Sequence, residues 1–82
     1  MANVSFSAAG DTLYAYLAGE IDHDAAQALR LALDDALVSR GPRTLVLDFG
    51  GVGFMDSSGV GLILGRQGRA RGLGGTVRVQ HA

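Results

Sequence analysis

The chain contains no cysteine. Neither a disulfide framework nor a thiolate metal site is therefore available, which fits a reducing compartment. Lysine is missing too, since all seven basic residues are arginine. That excludes chemistry centred on a lysine ammonium, the phosphate-loop lysine included. Nor is there an excess of one charge. Seven basic residues against eight acidic ones leave a net charge of −1, with no broad basic field for nucleic acid. No apolar run approaches the roughly 20 residues that span a bilayer, so no membrane association is expected. The opening Met1-Ala2-Asn3-Val4-Ser5 has neither the basic region nor the apolar stretch of a signal peptide. A cytoplasmic location is the expectation.

What is present suits one small domain. A chain of 82 residues, 48% of them hydrophobic, is globular rather than disordered. Val4 and Phe6 alternate with Ser5 and Ser7, a period of two that predicts a half-exposed strand. After a turn at Gly10-Asp11, Leu13, Ala15 and Leu17 alternate with Tyr14 and Tyr16, and the two strands form a hairpin. A helix opens in Gly19-Glu20-Ile21-Asp22-His23-Asp24, capped by Asp22 or Asp24. Its apolar stripe is Ala25, Leu29, Ala32, Leu33, Ala36 and Leu37, with Arg30, Asp34 and Asp35 turned away, and Gly41-Pro42 stops it. Leu45-Val46-Leu47-Asp48-Phe49 reads as a central strand covered on both sides. Strand, helix, strand in that order implies a parallel crossover.

Gly50 to Gly59 reads as the loop after that strand, and a second helix is expected from about Ser58 to Arg71, with Val60, Ile63, Leu64 and Gln67 on its packed face. Gly59, Gly61, Gly65 and Gly68 in a helix cost about 1 kcal/mol each relative to alanine, which suggests close backbone approach there. Arg66, Arg69 and Arg71 read as a solvated end of that helix. Val77 and Val79 mark a last strand.

The turn Asp56-Ser57-Ser58-Gly59 is the leading candidate site. Capping accounts for such residues. Yet a loop at the carboxyl end of a buried parallel strand is also where open α/β sheets place their sites. A phosphate on a hydroxyl there would lie near backbone amides of the helix start. The residues alone do not choose between Ser57 and Ser58. Catalysis by serine with His23 or His81 is not supported, because no Gly-x-Ser-x-Gly elbow exists. The run Gly50-Gly51-Val52-Gly53 lacks the third glycine of a dinucleotide loop, and Asp22-His23-Asp24 has no second cluster to complete a metal site. No cofactor and no enzymatic activity are expected.

The run Phe54-Met55-Asp56-Ser57-Ser58-Gly59-Val60-Gly61, continued by Leu62-Ile63-Leu64-Gly65-Arg66, resembles the signature of STAS-domain anti-sigma factor antagonists. Leu17-Ala18-Gly19-Glu20-Ile21-Asp22-His23 is similar to a second family pattern, and Gly74-Gly75 to a third. The resemblance implies a small mixed sheet, an N-terminal hairpin followed by parallel strands, with helices packed on it. It implies partner switching in bacteria. The unphosphorylated protein binds an anti-sigma factor that is also a serine kinase, and a sigma factor is released. Phosphorylation of Ser57 ends the complex, and a serine phosphatase resets it. Asp22, Asp56, Ser58 and Gly59 carry over with Ser57 as partner-binding positions. The alternative within the family is a non-phosphorylated scaffold subunit of a lipid-transport or other complex. Family members continue with further helical structure where this chain reaches Gln80-His81-Ala82. Residues 1–82 are therefore expected to be one STAS domain shortened at its C-terminus, with a homodimer covering the exposed last strand.

Overall fold

A computed structural model describes all 82 residues. The elements run β1 (Ala2–Ala9), β2 (Thr12–Ile21), α1 (His23–Arg40), β3 (Thr44–Met55), α2 (Ser57–Gly72) and β4 (Thr76–Gln80). They build one four-stranded sheet in the order β1-β2-β3-β4. β1 and β2 pair antiparallel, from Ala2 opposite Gly19 to Ala9 opposite Thr12. β2 with β3 and β3 with β4 are parallel. The mixed sheet, hairpin first, is the expected one.

The chain steps across the sheet in one direction, so crossovers of one hand place both helices on the same face. The core bears this out. Leu13, Ala15, Leu17, Leu45, Leu47 and Phe49 from the sheet form one buried cluster with Leu29, Leu33 and Leu37 of α1 and Leu62 and Ala70 of α2. Burying each such leucine is worth about 1.5–3 kcal/mol.

Cover on both sides of β3 is therefore corrected. Val46 and Asp48 point to the face without helices and are nonetheless buried. Their cover comes from the adjacent strands: Val46 lies between Tyr14 and Arg78, and Asp48 between Tyr16 and Gln80. Tyr14 and Tyr16 stack on this face, centroids 6.1 Å apart. Large cross-strand neighbours can thus bury a central strand without a second layer.

Four further expectations change. β3 continues through the glycine run to Met55, where a loop was expected. It stays paired with β2 across two register shifts, ending with Glu20 opposite Phe54 and Ile21 opposite Met55. One irregularity falls at Gly19, whose φ of +95° and contact with the Met1 carbonyl oxygen leave no room for a side chain. On α2 the buried positions are Gly59, Leu62, Arg66 and Ala70. Val60 and Leu64, expected inside, are 52% and 61% exposed. A Cβ at Gly61, Gly65 or Gly68 would meet nothing, so backbone approach does not explain those glycines. Finally, Arg66 is buried between the helices, its Nε 2.8 Å from Asp34 Oδ1, where both residues were expected to face solvent.

Candidate functional site

Two helix starts lie side by side at the carboxyl edge of the sheet. β2 and β3 end together at the pair Ile21 and Met55, and each strand runs directly into a capping aspartate. Asp22 caps α1, its Oδ1 accepting from the Ala25 amide at 2.9 Å. Asp56 caps α2, its Oδ1 accepting from the Ser58 amide at 2.8 Å. The Asp56 amide in turn donates to the Ile21 carbonyl at 3.2 Å, fastening one turn to the other. Of the two cap candidates for α1, Asp22 takes the role and Asp24 lies in the first turn.

Because Asp56 does the capping, Ser57 is released from it. Ser57 is the first residue of α2 and is exposed, with no hydrogen bond on its hydroxyl. Ser58 is half-buried. The expectation of free amides near a phosphate needs correcting. The Ser58 amide is held by the Asp56 side chain and the Gly59 amide by the Asp56 carbonyl at 3.0 Å. A charge on Ser57 would therefore meet the Asp56 carboxylate rather than a set of vacant donors. Gly59 is buried. A Cβ there would run into the Met55 side chain, so Gly59 lets the turn close over Met55 and offers no surface of its own.

The exposed face of α2 completes the site. Ser57, Val60 and Leu64 are spaced three and four apart and so share one side of the helix. Phe54, just before the turn, is 55% exposed. An exposed hydroxyl with no internal partner thus borders apolar surface. Sequence periodicity missed this surface by assigning its residues to the core.

A second polar cluster went unnoticed in the sequence. On the helix-free face, Asp48 Oδ1 accepts from the Gly50 amide at 2.8 Å, and Oδ2 lies 2.8 Å from Gln80 Nε2 and 3.0 Å from His81 Nδ1. The Gly50 bond, then the Gln80 bond, hold the Asp48 carboxyl below the usual carboxylate range against the opposing effect of burial, with His81 adding to the depression. His81 is placed by this contact. Tethering β3 to the end of β4 is a structural task, and nothing connects it to the turn at Ser57. No helix is long and apolar enough to cross a membrane.

A four-stranded mixed sheet with two helices on one face, and a serine at the start of the second, defines a class of small α/β domain. The family model described as Mlab, STAS domain, matches residues 4–82. The chain belongs to the STAS domain family. It is 41% identical over 56 residues to an anti-sigma F factor antagonist of Lysinibacillus sphaericus, covering 68% of this chain and 48% of that protein. It is 40% identical over 63 residues to the protein of the same name from Paenibacillus polymyxa, covering 77% and 54%. The chain thus spans about half the length of the curated relatives it matches. Among solved structures, the anti-sigma factor antagonist SpoIIAA in its unphosphorylated form superposes with a TM-score of 0.76 at 31% identity, over 94% of this chain and 71% of that one. The phosphorylated form of SpoIIAA, described as a Bacillus cell-fate determinant, gives 0.73 at 32% identity, over 92% and 68%.

Proposed function

We propose that the chain is an anti-sigma factor antagonist that works by partner switching. In the unphosphorylated state the turn at Asp56-Ser57-Ser58 and the outer face of α2 dock on an anti-sigma factor that is also a serine kinase, and a sigma factor is set free. The observation that carries this reading is the exposed Ser57, free of hydrogen bonds, on the same helix face as Val60 and Leu64. Phosphorylation of Ser57 adds about −1.5 to −2 charges next to the Asp56 carboxylate and the apolar contact. Both are disfavoured once the interface excludes water. Dissociation then needs no refolding, a view supported by the similar match of this chain to both forms of SpoIIAA. A serine phosphatase returns the domain to its binding state.

The test is reconstitution. The anti-sigma factor kinase is loaded with its sigma factor, and this protein is added with ADP or with ATP. Release of the sigma factor on size exclusion, reversed as ATP is consumed and Ser57 becomes modified, is the expected result. A stable sigma complex at saturating antagonist overturns the proposal. The Mlab name on the matching family model keeps the scaffold subunit as the second reading. That reading requires a lasting complex that ATP leaves intact.

A further inference from the structure

Between α1 and α2 lies an open groove of about 330 Å³, lined by His23, Gln27 and Arg30 on one side and Ser58, Gly61 and Arg66 on the other. No carboxylate lines it. Arg66 is only 6% exposed. Its one close counter-charge is Asp34 Oδ1, 2.8 Å from Nε but not aligned as a hydrogen bond, and its buried Nη1 has no partner at all. Burial weakens the hold of this guanidinium on its proton; Asp34 opposes that, while Arg30 and Arg69 reinforce it by repulsion. A buried guanidinium with two like-charged neighbours thus has a single carboxylate beside it, at the edge of a cavity. A buried cationic donor left unpaired is an uncommon arrangement in a folded protein.

We propose that this groove is a binding site for a phosphate-class oxyanion, seated on Arg30 and Arg66 with Ser58 and Gln27 as further hydrogen-bonding groups. A tetrahedral anion supplies the acceptors that the guanidinium groups lack, and planar guanidinium forks match its geometry. The groove is larger than inorganic phosphate requires and reaches the size of small-molecule sites, so the organic part of a phosphomonoester also fits. The inference is independent of any modification of Ser57, which lies at the exposed end of α2.

Amide NMR of the whole chain tests it. Sodium phosphate and glycerol 3-phosphate are titrated separately against sodium chloride at equal ionic strength. Saturable shifts at Gln27, Arg30, Ser58 and Gly61 are expected with at least one phosphate compound and not with chloride. The tighter of the two identifies the source. Arg30→Gln, at an exposed position that leaves the fold intact, should weaken binding about tenfold, the size of one lost charge-assisted contact. The double variant Asp34→Asn with Arg66→Met, which removes both members of the interhelical pair together, should abolish saturation. Shifts that grow linearly or equally with chloride, or an affinity unmoved by Arg30→Gln, would overturn the assignment.

Discussion

Leu62 and Leu64 stand two residues apart on α2 and should respond to truncation in opposite ways. Leu62 is 4% exposed and belongs to the core cluster, whereas Leu64 is 61% exposed. Leu62→Ala removes a packed side chain and leaves a void, at a cost of about 2–5 kcal/mol. For a domain of this size the whole stability is on the order of 4–12 kcal/mol, so the variant should unfold at far lower urea. Leu64→Ala forfeits only the covered two-fifths of a side chain worth about 1.5–3 kcal/mol when fully buried, hence about 1 kcal/mol or less. The exposed three-fifths becomes available on docking. Burying it against the kinase is worth about 1–2 kcal/mol by the same coefficient, so the variant should bind roughly 5- to 30-fold more weakly. Urea titration followed by circular dichroism measures the first effect, and isothermal titration with the kinase measures the second. If Leu64→Ala bound the kinase with native affinity, or unfolded as readily as Leu62→Ala, the assignment of α2's two faces to core and partner would be wrong.

Two further outcomes concern the site and a third the Asp48 cluster. Ser57→Asp should weaken kinase binding about tenfold or more, roughly 1.4 kcal/mol, while Ser57→Ala binds and is never released by ATP; equal affinities in calorimetry would sink the electrostatic account. Asp22→Asn retains a good cap residue, so chemical denaturation should move by less than about 0.5 kcal/mol, and a loss of kinase affinity without a loss of stability would assign the Asp22 charge to docking. Asp48 is held below its usual range by Gly50 and Gln80, so the stability it contributes is complete above the unfolded carboxylate value of about 3.9 and is lost as pH falls through the lower folded value. Asp48→Asn should therefore flatten that acid limb of the midpoint-against-pH curve; an unchanged limb would show that other carboxylates govern it.

Much of the fold was legible because its periodicities are strong. Leu13, Ala15 and Leu17 alternate with tyrosines, and Leu29, Leu33, Ala36 and Leu37 repeat at helical spacing. The second helix was misread for a physical reason. Val60, Ile63, Leu64 and Gln67 fit a helical stripe as well as Gly59, Leu62, Arg66 and Ala70 do, and the latter set contains an arginine that composition assigns to solvent. Only the long-range partner Asp34 makes Arg66 an interior residue. The glycines of β3 likewise argue against a strand locally, and it is the pairing of Gly51 and Val52 with Ala18 and Gly19 that carries the strand onward. Asp48 and His81 are 33 positions apart, a separation at which no local pattern reveals a contact. At the turn itself the residue types were readable, but their division of labour was not. Asp56 as the cap, and Ser57 as the hydroxyl thereby left free, emerge only from the hydrogen bonds.

The central claim is that Ser57 is the residue on which the switch acts. The most direct measurement is to incubate the protein with its anti-sigma factor kinase and ATP, digest it and locate the phosphate by fragmentation mass spectrometry. The account predicts a single phosphate on Ser57, gained by the native chain and absent from Ser57→Ala. Phosphate on Ser58 alone, on one of the distant serines Ser5, Ser7 or Ser39, or on no residue at all would contradict it.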